Sequence, residues 1–387
     1  MPSIAASPRA SQTWKGSSAV LDGRRQTAGV GLTGCNNNLM KERRVDTVHT
    51  VAVGRKAMAC QFEVIFNIHD NDQATPWGVE ALDLIDAVED RITVYRSDSE
   101  LALLNARAAD DWQSVSDELF SLLVLARDLN DRTLGAFDVT AGPLIRAWGF
   151  LQRQGRQPDP GALMAARRCS GMDLVEFDMT ARRIRFRQPG VEINLGAIGK
   201  GWAIDRAIDR IAEGGIVDVF IHGGHSSLRA RGCRGFCHPA GAGEGWPVGL
   251  RHPLRPRDRL GSILIQNRAL GTSGSGTQFF IDQGRKLGHI LDPRTGHPAT
   301  GVLSATVLAP TAAEADALAT AAYVLGPTEI ERIAPAGGPV AALLVLPGSR
   351  DGQLAVRLAN LSPEQFQLTE NLPGLTIIPP QTPRTGP

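Results

Sequence analysis

The sequence predicts an α+β protein in which a largely antiparallel sheet carries packed helices. Strand-like segments cluster between residues 216 and 282, and no helix-like segment interrupts them. Glycine-rich turns separate these segments, as is typical of an antiparallel meander. Segments with helical spacing precede and follow the cluster instead of alternating with its strands. A doubly wound sheet, which needs that alternation, is therefore disfavoured.

The individual elements follow from the spacing of apolar residues. Alternation at Phe62, Val64 and Phe66 predicts a half-buried strand over 61–68. Apolar residues three or four apart predict helices over 79–92, 117–129, 202–211 and 312–325, and Ser116 is a typical N-cap for the second of them. The other predicted strands are 174–177, 184–186, 216–221, 227–230, 247–250, 262–265, 278–281, 302–308 and 340–346.

Composition divides the chain into a central domain and two loose ends. With 387 residues, the chain is long enough to bury a large core. Residues 1–47 are polar and lack periodicity, and residues 371–387 are rich in Pro and Thr, so both segments are predicted to be disordered. The domain is therefore predicted to span residues 48–370.

Charge and hydropathy argue against two classes of partner. The net charge is +1, so no basic surface for nucleic acid is predicted, and no apolar run reaches the length of a transmembrane segment. Residues 32–35, Leu-Thr-Gly-Cys, resemble a lipoprotein cleavage box, but the apolar stretch before them is too short for a signal peptide. A cytoplasmic location is therefore favoured, and an exported or membrane-anchored lipoprotein is the alternative.

The most informative segment is EINLGAIGKGWAID, residues 192–205. A short apolar strand enters a turn with Gly196, Gly199 and Gly201, and a helix follows. Glycines allow backbone N–H groups to approach a phosphate closely, and the helix dipole adds partial positive charge. Lys200 supplies a full charge in a chain with only five lysines among 41 basic residues. The segment indicates an anion-binding site, and the alternative is a tight turn with a solvated lysine.

The segment predicted as helix 312–325 carries a candidate metal site. Asp316 and Thr320 are four residues apart, so they share one helix face among small apolar neighbours. A buried carboxylate needs a partner or a cation, and Mg²⁺ prefers hard oxygen ligands. The alternative is that Asp316 caps a nearby loop and Thr320 bonds back to its own helix.

Two further segments could contribute chemistry. The turn Asp-Pro-Arg-Thr-Gly at 292–296 would hold His289 and Asp292 close together, which suits a general base or an orienting donor. The alternative is a well-formed turn capped by Asp292. The segment 135–140 pairs Phe137 with Asp138, a plausible site for a ring ligand or simply a loop folded onto the core.

Seven segments, in this order, resemble one family, the ApbE-type flavin transferases (FAD:protein FMN transferases). They are TVYRSDSELALLNA (93–106), GAFDVTAGPL (135–144), EINLGAIGKGWAID (192–205), IHGG (221–224), GTSGSG (271–276), GHILDPRTGHPA (288–299) and ADALATAAYVLG (315–326). The resemblance extends over residues 50–350. It implies an ApbE-like, T-fold-like architecture.

The resemblance also implies an activity and a site. Members of this family use Mg²⁺ and FAD, transfer FMN to a Thr or Ser hydroxyl of a target flavoprotein, and release AMP. Carried onto this sequence, it assigns catalysis to His289 and Asp292. It assigns the metal to Asp316, Thr320 and the carbonyl of Ala197. The implied FAD-binding residues are Met58, Tyr95, Ala136, Phe137, Asp138, Asn194, Lys200 and Leu291.

The sequence departs from the family pattern at three places. Asn194 and His225 stand where the family usually has Asp, and Ala59-Cys60 replaces the usual Gly-Thr. These changes leave two alternatives open beside the transferase. One is an FAD pyrophosphatase that gives FMN and AMP, and the other is a flavin-binding or trafficking protein without turnover.

Overall fold

The computed structural model of the chain describes residues 49–67, 71–235, 245–274, 276, 278–362, 365–369 and 374–378. Its helices are α1 (Asn71–Ile92), α2 (Glu100–Arg107), α3 (Asp117–Arg132), α4 (Gly142–Ala147), α5 (Pro160–Arg168), α6 (Gly199–Glu213), α7 (Ala312–Leu325) and α8 (Ile330–Ile333). Short 3-10 helices lie at Phe150–Gln152 and Met172–Leu174.

The strands in the first half of the chain are β1 (Thr50–Ala57), β2 (Cys60–Asn67), β3 (Gln113–Ser114), β4 (Val175–Asp178), β5 (Arg183–Phe186), β6 (Val219–Gly223) and β7 (Ser227–Arg231). Those that follow are β8 (Trp246–Arg251), β9 (Arg259–Ile265), β10 (Arg268–Gly274), β11 (Phe279–Asp282), β12 (Arg285–Gly288), β13 (Leu291–Asp292), β14 (His297–Pro298), β15 (Ser304–Ala309), β16 (Ala341–Pro347), β17 (Leu354–Ala359), β18 (Phe366–Leu368) and β19 (Leu375–Ile378).

A large mixed sheet forms the centre of the fold. Within the described residues it has nine strands in the order β1-β2-β6-β7-β10-β15-β16-β17-β19. Every neighbouring pair is antiparallel except β17 and β19, which are parallel. The prediction of an α+β fold with a largely antiparallel sheet and packed helices is confirmed.

The two faces of this sheet bury different layers. Alternate strand residues such as Val64, Ile221 and Val307 join one apolar core with α1, α3, α6 and α7. Residues of the opposite parity, such as Phe220 and Leu343, join a second core with the small sheet β18-β9-β8. The period of two along each strand therefore gives one helical layer, one central sheet and one small covering sheet.

Two glycines allow helix α7 to lie unusually close to its neighbours. A Cβ atom on Gly201, in the first turn of α6, would overlap the carbonyl of Ala312, and one on Gly271, in β10, would overlap the carbonyl of Ala315. Only a residue without a side chain fits at either position. These close approaches place Asp316 of α7 directly beside the start of α6.

Several sequence predictions need correction. The segment 216–282 is not one meander, because β8 and β9 leave the large sheet and β11 pairs only with β12 among the described residues. The hairpin partner β1 was not predicted, and α1 begins at Asn71, well before the expected start at residue 79.

The two terminal segments predicted to be disordered lie largely outside the described residues. All of residues 1–47 lies outside them. Residues 375–378 contradict the prediction of a disordered tail over 371–387, because they form β19 against β17. The Pro- and Thr-rich composition of the segment concealed the β-branched run Thr376-Ile377-Ile378 that makes this strand.

Candidate active site

Most of the predicted site residues line one cavity of about 1030 Å³. They are Tyr95, Ala136, Phe137, Asp138, Asn194, Ala197, Lys200, His289, Leu291, Asp316 and Thr320. Met58 and Asp292 do not line it. Residues that lie more than 200 positions apart in sequence are therefore brought together by the fold, as a shared site requires.

The glycine turn places the N-terminus of α6 at this cavity. The N-cap residue, Ile198, forms no side-chain cap, and the first turn of the helix carries no acidic residue. Among the described residues the N–H of Gly199 bonds to the carbonyl of Leu195 at 2.7 Å and that of Gly201 bonds to Asp316 at 2.9 Å. The N–H of Lys200 is therefore the donor of this first turn left for an anion, which the positive end of the helix dipole also favours. The half-buried Lys200 adds a full positive charge at the same place.

Asp316 is held against that helix start. Its Oδ2 atom accepts hydrogen bonds from the backbone N–H of Gly201 at 2.9 Å and from the hydroxyl of Ser227 at 2.8 Å. The described residues donate no hydrogen bond to the second oxygen, Oδ1, and the side chain lines the cavity. Burial raises the pKa of Asp316 to about 6, although the nearby charge of Lys200 opposes that shift.

Helices α6 and α7 are linked by two carboxylates, each of which accepts hydrogen bonds from the backbone of the other helix. Asp205 of α6 accepts hydrogen bonds from the N–H groups of Ala312 and Ala313 at 2.8 and 2.9 Å, and it pairs with Arg229 at 2.8 Å. Asp316 of α7 binds the start of α6 in return. Each helix therefore satisfies backbone donors of the other, which fixes their relative position.

Hydroxyl groups surround the free side of the junction. Thr320 donates to the carbonyl of Asp316 at 3.3 Å and lies 3.1 Å from the Ser273 hydroxyl, while the hydroxyls of Thr272 and Thr306 are 3.0 Å apart. Thr320 thus bonds back to its own helix, as the alternative interpretation expected. One open carboxylate oxygen among neutral oxygens is also a donor set that fits Mg²⁺.

The protein alone supplies few metal ligands here. The described part of the chain holds no cluster of three or more His, Cys, Asp or Glu side chains that could bind a metal ion. A cation at Asp316 would therefore rely on hydroxyl, carbonyl, water and phosphate oxygens for the rest of its shell, as Mg²⁺ commonly does.

His289 is positioned by a backbone carbonyl. Both its backbone N–H, at 3.2 Å, and its Nδ1 atom, at 3.1 Å, bond to the carbonyl oxygen of Gln278. A carbonyl can only accept, so Nδ1 carries the proton and the neutral ring leaves Nε2 free to act as a base. Burial lowers the pKa of His289 below 6.5, and the charge of Lys200 acts in the same direction.

Asp292 does not bond to His289, in contrast to the predicted pair. Its carboxylate accepts hydrogen bonds from the backbone N–H, Nε and Nη2 of Arg294 at 3.0, 2.9 and 2.9 Å. It therefore stabilises the turn that connects β13 to β14. Asp292 binds Arg294 because that residue is only two positions away, whereas the ring of His289 already bonds to Gln278.

The predicted flavin contacts differ in exposure. Phe137 is fully buried in the helical core, whereas Tyr95 is 74% exposed at the cavity. Asp138 accepts from both the backbone N–H and the hydroxyl of Thr140 at 2.7 and 2.6 Å, and burial raises its pKa. Met58 packs against the helical core and does not line the cavity.

Asn194, which replaces the family's usual Asp, keeps a structural role in the glycine turn. Its side-chain oxygen accepts from the backbone N–H of Gly196 at 2.9 Å, and its backbone N–H donates to the carbonyl of Val139 at 2.7 Å. An amide oxygen suffices for these contacts, so the loss of a charge does not disturb the turn.

A sequence model of the ApbE family matches residues 58–344 of this chain. The chain belongs to the ApbE family. An FAD:protein FMN transferase from Klebsiella pneumoniae (strain 342) is 29% identical over 270 residues, which cover 68% of this chain and 75% of that protein. One from Haemophilus influenzae (strain ATCC 51907 / DSM 11121 / KW20 / Rd) is 27% identical over 311 residues, which cover 74% and 88%.

Solved ApbE structures share the fold. The flavinyl transferase ApbE of Pseudomonas stutzeri, in its apo form, superposes with a TM-score of 0.70 at 25% identity, covering 82% of this chain and 97% of that one. The glycine turn at 196–201, helix α7 with Asp316, and the segment with His289 all lie within the matched residues 58–344.

The sequence of this ApbE family member singled out His225 as a departure from the family pattern, but it did not single out His222 or the pairing of the two. His222 bonds to Glu63 at 3.0 Å, and its ring stacks on that of His225 with a centroid distance of 5.3 Å. Both histidines line the cavity. Their pairing depends on the turn between β6 and β7, where His225 adopts a φ of +61°, and no spacing rule along the chain reveals it.

Proposed function

We propose that this chain transfers the FMN half of FAD to a Thr or Ser hydroxyl of an acceptor flavoprotein, with Mg²⁺ as cofactor, and releases AMP. The observation that carries the proposal is the arrangement around Asp316. A buried carboxylate bound to the start of α6, the cation of Lys200 in that first turn, and a neutral histidine line the same cavity. The names of the curated relatives, FAD:protein FMN transferase, support it.

FAD has features that match the cavity wall. Its pyrophosphate suits the start of α6, where the helix dipole, the backbone N–H of Lys200 and the Lys200 ammonium group lie together. The isoalloxazine ring suits Tyr95, an exposed aromatic ring, and Asp138, a polar group, both of which line the cavity. The opposite wall is apolar at Phe220, Val248 and other residues of the second core, which suits the adenine ring.

The proposed metal site uses Asp316, Thr320 and the carbonyl of Ala197. Oδ2 of Asp316 is taken by Gly201 and Ser227, so Oδ1 is the carboxylate oxygen available for a cation. Bound Mg²⁺ supplies charge neutralisation for a pyrophosphate and its leaving group. A carboxylate whose pKa is raised by burial gains most from such a cation, because the cation compensates the cost of its charge.

His289 acts as the general base in the proposed reaction. Its Nε2 atom takes the proton of the acceptor hydroxyl as the oxygen attacks the phosphorus atom of the FMN half. A phosphoester bond forms to the acceptor, the bond from that phosphorus to the bridging oxygen breaks, and AMP leaves with the electron pair. We assign Asp292 to positioning, because it holds the turn that follows His289.

The test is FAD turnover with Mg²⁺, in the presence and absence of an acceptor domain that carries a single exposed Thr. An added FMN mass on the acceptor, lost in Asp316→Asn but kept in the exposed control Asp209→Asn, supports the proposal. AMP and free FMN with an unmodified acceptor would indicate a pyrophosphatase instead. Bound FAD without any AMP would leave a flavin-binding protein.

A further inference from the structure

The hairpin β11–β12 stands apart from the large sheet, and its inner face anchors it. Among the described residues its two strands pair only with each other. Phe280 packs against Trp148 and Phe150 with ring-centroid distances of 6.1 and 5.9 Å. Leu287, its cross-strand partner, packs against the same small apolar cluster. The hairpin is therefore held in place from one side only.

The outer face of the hairpin is apolar and cationic. Phe279 and Ile281 alternate with the anchored Phe280 and are 44% and 69% exposed. Lys286, opposite Ile281, places its ammonium group 4.1 Å from the centroid of the Phe279 ring. Within the described residues Lys286 forms no ion pair, so its charge is available to an acidic partner. An exposed apolar pair beside a free cation is typical of an interaction surface.

This outer face is continuous with the reacting centre. Strand β12 ends at Gly288, directly before His289, and Gln278, directly before β11, supplies the carbonyl that holds the His289 ring. Lys286, Gln278 and His289 line the same cavity. A segment that rests on the hairpin therefore lies within a few residues of the proposed base.

We propose that the outer face and open edge of β11–β12 dock an extended, acid-bearing segment of the acceptor protein. This inference rests on the proposed transferase function. An unpaired strand edge accepts an added strand through main-chain hydrogen bonds, while alternate side chains provide selectivity. Here Phe279 and Ile281 would take apolar side chains of the segment, and Lys286 would take a carboxylate.

The size of the surface favours a transient occupant over a second copy of the chain. Each strand of the hairpin has four residues, so the face is far smaller than the roughly 800 Å² per partner of a standard stable interface. Weak docking suits a substrate segment that must leave after it has been modified. The positive charge of Lys286 favours an acidic peptide segment over a neutral or basic one.

The experiment measures binding of labelled peptides to the FAD-loaded full chain by fluorescence anisotropy. The acidic probe is a capped twelve-residue peptide with a central Thr, two Asp residues and alternating Val. The matched probe has Lys in place of both Asp residues. Two further probes repeat the acidic sequence with backbone N-methylation at the odd-numbered or at the even-numbered residues, so that one of them lacks the donors needed for strand addition.

We expect the wild-type chain to bind the acidic probe more tightly than the matched lysine probe, by about tenfold, and N-methylation in one of the two alternate registers to abolish binding. Lys286→Glu should reverse the order of the two probes. Ile281→Asp should weaken acidic-probe binding about tenfold, whereas Val217→Asp, at a residue 58% exposed before β6, should leave it unchanged.

Equal binding of the acidic and lysine probes, insensitivity to both hairpin substitutions, or absence of binding by any probe would overturn the proposal. FAD affinity is measured in each variant, so that a change in nucleotide binding is recognised. Charge-selective peptide binding without FMN on the peptide or on an acceptor domain would leave docking intact and contradict the transferase. FMN transfer that ignores the hairpin substitutions would contradict docking alone.

Discussion

The inner and outer walls of the cavity are built in different ways. The inner wall, where α6, α7 and β7 meet at Asp316, is buried, and Asp316 is only 7% exposed. The outer rim, formed by Tyr95 and the hairpin β11–β12, is open, with Tyr95 at 74% and Ile281 at 69% exposure.

The difference follows from what each wall must hold. In the inner wall, Asp316 and Asp205 satisfy backbone donors of the opposite helix, so a shift of either helix would break several buried hydrogen bonds at once. In the rim, the outer side chains have few fixed partners. The comparison indicates a rigid half for a small, constant substrate and an adaptable half for a protein partner.

The most damaging change to the inner wall is Gly201→Ala. The added methyl group overlaps the backbone of Ala312. Neither helix can move away without breaking the hydrogen bonds that Asp205 and Asp316 accept from the opposite helix. We expect the free energy of unfolding to fall by about 3 kcal/mol and transfer to be lost. Urea unfolding measures the first and mass spectrometry of the acceptor the second.

A rim glycine provides the control for that experiment. A Cβ atom on Gly276 meets no atom within 4 Å, so Gly276→Ala should change stability by less than about 1 kcal/mol. Equal losses in the two variants would contradict the distinction between a rigid inner wall and an adaptable rim.

Where the two walls meet, His289→Asn separates base catalysis from positioning. The amide N–H of Asn can replace Nδ1 as a donor to the carbonyl of Gln278, but no basic nitrogen remains. We expect kcat for transfer to fall about 10² to 10⁴-fold with FAD affinity unchanged. A matching fall in FAD affinity would place His289 in nucleotide binding instead.

The pH dependence of transfer sharpens the same assignment. The base must be unprotonated, and burial lowers the pKa of His289 below its usual value of 6.5. The His289-dependent rate should therefore persist as the pH falls through 6.5 and decline only below it, as measured at saturating Mg²⁺. A decline centred above 6.5 would show that the ring is not desolvated as the structure has it.

Asp292→Ala tests the turn that follows the base. Three hydrogen bonds to Arg294 are lost, which should reduce stability by about 1 kcal/mol. Because Asp292 does not contact His289, kcat should fall less than tenfold, far less than in His289→Asn. A loss as large as that of His289→Asn would restore Asp292 to the catalytic role that the family resemblance implied.

The smallest effect is expected in the hairpin β1–β2. Ala59 adopts a φ of +58° in its turn, a conformation that favours glycine. Ala59→Gly should therefore stabilise the chain by about 0.5 to 1 kcal/mol, whereas Ala57→Gly, at the buried last position of β1, should destabilise it by a similar amount. Thermal unfolding of both variants would contradict this if the two shifts had the same sign.

The sequence anticipated the chemistry of the inner wall better than its geometry. Periodicity located α6 and α7, and residue types pointed to Lys200 and Asp316. The hydrogen bond between Asp316 and Gly201 could not be predicted, because it depends on two close backbone approaches far apart in the chain. Similarly, Gln278 binds His289 through its backbone carbonyl, which every residue has. The identity of residue 278 therefore could not reveal this contact in the sequence.

Local chemistry also misled the prediction at specific places. Asp292 was paired with His289 because they are close in sequence, but Arg294 is closer and offers several donors. The run 216–282 was read as one sheet because strand patterns do not encode which edge a strand joins. The strand Leu375–Ile378 was hidden in a Pro-rich tail.

The hold of Gln278 on His289 has a consequence for protein engineering. His289, the proposed base, is held at the end of the short hairpin β11–β12, whereas the proposed nucleotide site lies at the two long helices α6 and α7. A designer who wants to label a new target with a flavin would therefore vary the outward residues Phe279, Ile281 and Lys286, keep the anchoring Phe280 and Leu287, and leave the helical half of the enzyme untouched.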